Sequence, residues 1–383
     1  MLASMQDLEV VRRMQAGWLT MDYYPGGEPL LMNDELDTLM RELLAQGVPA
    51  GAVMNRLNVA ATEQLARDEG ARERARAFWR RSSVNCVTVT LGGLDARLGE
   101  HEAVYRNIAR WLQKFAAADH MTLCRSPEEV EAAYAAGKTG VVFALQNTTA
   151  LGTETEMLDV LHAFGLRVVQ LTYNDRNLVG DGCTEPAPGG LSVFGRAVVQ
   201  RLNDLRIVVD LSHVSERTGL DAMGRSSRPV AVTHSCCKAI YGHDRAKTDD
   251  FLRALRDQDG YFGLVAVPFF LSGKAAPTLD DMMDHVAHAA EIMGVERVGI
   301  GTDWGAWTPD VPAPLQRGVR EEFLRRGFRA EHGLQMGVPL GELGEYGQWP
   351  LITQALLRRG FSEAETAGIV GGNFLRYWRR ASA

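Results

Sequence analysis

The sequence predicts a (β/α)8 barrel, the TIM-barrel class of α/β folds, on three observations. Short, β-branched, continuously apolar runs recur along the 383 residues, as strands buried on both faces do. Stretches with helical spacing separate them, the pattern of parallel strands joined by crossovers. No Gly-rich phosphate turn follows the first of these runs, which argues against the alternative, an open doubly wound sheet.

Seven strands are predicted at residues 84–91, 140–145, 167–172, 207–210, 230–233, 261–267 and 297–301, and an eighth, earlier one at 18–22. Helices are predicted between them at 101–118, 127–136, 154–164, 192–203, 216–223, 252–258 and 279–293. Eight such units closing on themselves make the barrel. Residues 1–83 read as a mostly helical region that includes the first strand, and 84–383 as the rest of the barrel. Asn33 opens a helix with acidic residues near its start, where the helix dipole favours them. Residues 63–81 read as one charged, solvated helix, 308–349 as a long connection, and 350–380 as two closing helices. No linker forces a second domain.

Composition excludes several functions. Apolar residues make up 46% and charged residues 23%, with a net charge of −7, so this is an ordinary globular chain. Its basic pairs are short and scattered, which excludes a phosphate-tracking surface and nucleic acid as a partner. No apolar run reaches 18 residues, so no membrane span is expected. The five cysteines lack framework spacing, and the first residues lack a signal-peptide pattern. Both point to reduced thiols and a cytoplasmic setting.

Active sites of such barrels gather at the carboxyl ends of the strands. Those ends hold Gln146-Asn147, Tyr173-Asn174, His213, His234 and Asp303. His213 and His234 end neighbouring parallel strands, so both imidazoles emerge together. One such histidine is more often a hydrogen-bonded rim residue. Two on adjacent strands favour metal ligation, with zinc suited to neutral imidazole. Asp303 is a ligand or proton carrier on one reading and a turn or N-cap residue on the other. Arg245, in the polar loop after the His234 strand, is a carboxylate clamp or a surface partner of Asp244 or Asp249. His243 in that loop reads as structural or exposed.

Together these segments resemble the membrane dipeptidase family of metallopeptidases. The resemblance rests on Asp210-Leu211-Ser212-His213, Val232-Thr233-His234-Ser235, His243-Asp244-Arg245 with Thr248-Asp249, Val298-Gly299-Ile300-Gly301-Thr302-Asp303 and Gly371-Gly372-Asn373-Phe374-Leu375-Arg376. It runs from about Val84 to Arg376. It implies a (β/α)8 fold, dipeptide hydrolysis at a two-zinc site, and often a homodimer. It implies His213 and His234 as ligands of one metal, Asp303 as a residue of the other metal or of proton transfer, and Arg245 as the clamp on the substrate's carboxylate.

The sequence also departs from the family. The expected His-x-Asp pair of the first strand is absent from residues 19–26, where Asp22 either keeps a metal-binding carboxylate or marks a turn. Gln146 stands for the bridging glutamate, and Tyr173 for a substrate-facing histidine. A neutral amide cannot hold two cations together as a carboxylate can. The expectation is therefore one zinc ion at most, held by His213, His234 and Asp303, with Asp22 as a further candidate ligand. Asp303 and Tyr173 are the candidate catalytic groups, and Arg245, Tyr173 and Gln146 the candidate substrate contacts. The leading function is hydrolysis of a small carboxylate-bearing amide or dipeptide. The alternatives are a lyase or biosynthetic tailoring enzyme on the same scaffold, and a non-catalytic binder.

Overall fold

The computed structural model describes residues 8–23, 31–92, 99–304 and 312–383. Its strands are β1 (Met21–Tyr23), β2 (Cys86–Thr90), β3 (Met121–Leu123), β4 (Thr139–Leu145), β5 (Leu166–Gln170), β6 (Val208–Asp210), β7 (Ala231–Ser235), β8 (Tyr261–Leu264) and β9 (Val298–Ile300). Eight follow the order β1-β2-β4-β5-β6-β7-β8-β9, and every pair is parallel. Just past β9, the Asp303 amide donates to the Tyr23 carbonyl at 3.0 Å. That bond brings the last strand back to the first and rounds the sheet into the expected barrel.

Side chains alternate along each strand. Met21, Cys86, Val142, Val168, Ala231 and Tyr261 share one cluster with Phe374, Tyr377 and Trp378 of the helix Asn373–Ser382. The Tyr377 hydroxyl donates to the Pro229 carbonyl, just ahead of β7. This helix therefore plugs the amino-terminal end of the barrel. Val87, Phe143, Val209, Val232, Phe262 and Val298 belong to the larger cluster shared with the surrounding helices. Apolar partners on both faces explain why the runs are continuous rather than alternating.

Four details differ from expectation. β3 was not foreseen: its three residues pair with residues 139–141 of β4, below the point where β5 takes over at Phe143, and three residues make no visible apolar run. Residues 63–81 are not one helix. The chain forms Ala50–Arg67 and Glu69–Ser82, divided at Asp68, whose extended backbone stops the first and whose carboxylate caps the second through the Gly70 and Ala71 amides. The stretch 308–349 contains the helix Ala313–Arg325; its prolines sit at the start, where the missing N–H costs nothing. Residues 308–311 of that stretch lie outside the described residues. The closing region has three helices, Pro350–Arg359, Glu363–Ala367 and Asn373–Ser382, with a π turn at Gly368–Gly372. A Cβ at Gly371 would lie 2.3 Å from the Leu19 carbonyl oxygen, so only glycine permits this approach to β1. Among the described residues no helix is long and apolar enough to cross a membrane.

Candidate active site

His213 lies three residues past the end of β6, and His234 lies within β7. The β7–β8 register passes from Val232↔Phe262 to Ser235↔Leu264. Two residues of β7, Thr233 and His234, thus oppose Gly263 alone, which is a bulge. A Cβ at Gly263 or Gly301 would stand 2.0 or 2.1 Å from the Thr233 carbonyl oxygen. Both glycines make room for the bulge that presents His234.

Asp210 ties the two histidine segments together. Its Oδ1 accepts from the Ser212 amide, the Ser212 hydroxyl and the Thr233 amide, and its Oδ2 from the Thr233 hydroxyl at 2.6 Å. Burial pushes its pKa up against these bonds. The Thr233 hydroxyl, having given its proton to Asp210, is left to accept from Nδ1 of His234 at 2.8 Å. Nδ1 of His213 meets Oδ1 of Asn174 at 2.8 Å. Each Nδ1 thus carries the proton, and each Nε2 keeps a lone pair. The two Nε2 atoms stand 3.0 Å apart.

Two lone pairs so placed repel unless a cation lies between them. Burial, with the charges of Arg245 and Lys247, holds both imidazoles well below the usual histidine pKa, so they stay neutral. A tetrahedral zinc with nitrogen ligands at about 2.0–2.1 Å separates them by roughly 3.3 Å, close to the spacing here. One carboxylate oxygen of Asp303 joins the pair, the three ligand atoms lying within 4.8 Å of one another. The donor set fits a borderline divalent metal such as zinc.

Asp303 has φ of 53°, a left-handed conformation that strains a non-glycine residue. Burial raises its pKa to about 7 against the opposing pull of Arg245 and of a hydrogen bond with the Gln146 side chain. Gln146 thus contacts Asp303 at the rim. Asp22, by contrast, is not brought into the group. Its Oδ1 accepts from the Thr302 amide, and its Oδ2 from the Thr302 and Tyr346 hydroxyls and the Trp349 indole. The strand's period of two explains this: Met21 and Tyr23 face the interior, and Asp22 faces the surrounding shell. Burial raises its pKa to about 6.

Arg245 is fully buried. Nη1 donates to the Ser212 carbonyl and Nη2 to the His234 carbonyl, the latter at 3.0 Å, while Nε has no partner among the described residues. Its guanidinium lies 5.4 Å from the Phe270 ring centre. Asp244 instead pairs with Arg329 and His332, and Asp249 with His288. The surface-pair reading of Arg245 is therefore ruled out. His243 is buried, not exposed, and its Nδ1 accepts from the Arg245 amide.

Aromatic rings flank the imidazoles. Tyr173 stacks on His213 at 4.4 Å between centroids, and Tyr23 on His234 at 4.2 Å. Burial raises both phenol pKa values. Sequence patterns alone assign no role to Tyr23, Asp210, Thr233, Asn174 or the buried Lys247. Asp210 and Asn174 were within view, one in the Asp-Leu-Ser-His run and one at a strand end. Tyr23 needed the register of β1, which three residues do not reveal.

A family model described as membrane dipeptidase (peptidase family M19) matches residues 83–329. Dipeptidase tcpJ of Claviceps purpurea (strain 20.1) is 28% identical over 265 residues, 68% of this chain and 56% of that protein. The chain spans about half the length of the curated relatives it matches. Among solved structures, an amidohydrolase from Pseudomonas aeruginosa superposes with a TM-score of 0.74 at 24% identity, covering 97% of this chain and 99% of the other. A metallopeptidase from Rhodobacter sphaeroides, liganded with a phosphinate mimic of the dipeptide L-Ala-D-Ala, gives 0.69 at 19% identity, covering 94% and 99%. These superpositions carry the fold, and the family match extends over more than half of the residues: the chain belongs to the membrane dipeptidase family.

Proposed function

We propose that the protein is a metal-dependent hydrolase of dipeptidase type, cleaving a small amide or dipeptide that bears a free carboxylate. The observation that carries this reading is the facing pair of Nε2 lone pairs, 3.0 Å apart, with both Nδ1 protons committed elsewhere. His213, His234 and Asp303 would hold one zinc ion. Zinc, when bound, supplies Lewis acidity toward the scissile carbonyl and the attacking water.

The chain's own groups do the rest. Asp303 takes a proton from the attacking water at its carboxylate and returns it to the leaving amine. Tyr173 donates its hydroxyl proton in a hydrogen bond to the developing oxyanion. Arg245 holds the substrate carboxylate. Its buried charge meets no carboxylate in ion-pair contact among the described residues, and a buried unpaired cation is costly. Gln146 positions Asp303 and borders the substrate. Homodimeric assembly rests on the family resemblance alone. A cytoplasmic setting is supported by five free cysteines.

A panel of dipeptides offered to the zinc-equilibrated protein tests this. Turnover is expected on at least one dipeptide, and His213→Ala should abolish it. Zinc-loaded protein that cleaves no dipeptide or related amide overturns the reading.

A further inference from the structure

We infer that Tyr23 is a second hydrogen-bond donor to the substrate oxyanion, on the flank of the imidazole pair opposite Tyr173. This rests on the hydrolase reading of the site. Tyr23 ends β1 at the mouth of the barrel and is 3% exposed. Its hydroxyl has no hydrogen-bond partner among the described residues. A buried donor left unpaired costs stability, so its retention needs a reason outside the fold.

The surroundings supply one. The ring of Tyr23 lies on His234 with 23° between planes, as Tyr173 lies on His213 with 21°. The Tyr23 backbone carbonyl accepts from the Asp303 amide, which fixes the phenol's strand against the third member of the ligand group. A carbonyl placed over the imidazole pair would meet a phenol O–H from each flank. Donation from both would stabilise the anion as it forms, with no reorganisation at that moment.

Tyr23→Phe keeps the ring and its stacking and removes only the hydroxyl. The probe is a phosphinate dipeptide mimic, whose tetrahedral anion resembles the oxyanion, titrated by calorimetry into zinc-loaded protein. We expect Tyr23→Phe to bind it about tenfold more weakly than wild type. We also expect kcat to fall about 10–100-fold at little changed KM, and the variant to melt no earlier than wild type. Equal phosphinate affinity overturns the assignment. So does earlier melting, which would make the hydroxyl a structural group. If wild type cleaves no dipeptide yet Tyr23→Phe still weakens phosphinate binding, the donor role stands and the hydrolase reading fails. If wild type neither cleaves nor binds, both fail.

Discussion

Asp210 acts on the imidazoles through Ser212 and Thr233, and the direction of both rings depends on it. Its carboxylate joins the Ser212 and Thr233 segments, and Thr233 fixes the tautomer of His234. Asp210→Asn replaces an acceptor with a donor facing other donors. Zinc affinity should fall about 10–100-fold, as for other residues that orient ligands, and stability by about 1–3 kcal/mol. Chelator competition and denaturant unfolding measure the two effects; unchanged values would show that Asp210 orients nothing. At this scale the sequence exposed His213, His234 and Asp303, because each ends or follows a recognisable apolar run. It concealed Tyr23 and left Asp22 open between ligand and turn residue, because a one-residue change of register exchanges the two faces of a strand. Asp22 instead binds β1 to the segment after β9 and to the Tyr346–Trp349 turn. Asp22→Asn should cost about 1–3 kcal/mol and leave zinc content unaltered. Loss of zinc in that variant would restore Asp22 as a ligand.

The bulge in β7 is the element that converts a regular strand into a ligand-bearing one. Its Thr233 carbonyl occupies the space that side chains at Gly263 and Gly301 would fill. Gly301→Ala must push the bulge or bend β9, so it should weaken zinc binding at least tenfold and lower the melting temperature. A variant with native zinc affinity and stability would show that the bulge tolerates displacement. The repeated apolar runs made eight strands legible, including the glycine-rich last one. β3 was hidden because three residues flanked by His120 and Cys124 carry no periodic signal. The helix break at Asp68 was hidden because charged residues continue on both sides of it.

In the whole molecule, the mouth of the barrel buries two cations, Arg245 and Lys247, beside the carboxylates of Asp210 and Asp303. Lys247 is buried, donates to the Val214 carbonyl and lies over Phe251; burial, then the nearby Arg245, lowers its pKa to about 8. The unfolded chain holds that proton up to a pH of about 10.4. Below pH 8 both states are protonated and the burial penalty is fully present. As pH rises from 8 toward 10.4 the folded state sheds the proton first, and the penalty is relieved. The stability of wild type relative to Lys247→Met should therefore rise by roughly 3 kcal/mol between pH 7 and 10.5; a difference that stays flat would contradict this. The more direct question is whether the imidazole pair meets at one cation. X-ray absorption at the zinc edge, on protein equilibrated with zinc and freed of excess, answers it. We predict one zinc per chain with two imidazole nitrogens at about 2.0–2.1 Å, lost in both His213→Ala and His234→Ala. Two zinc ions per chain, or zinc retained in full without these histidines, would contradict it.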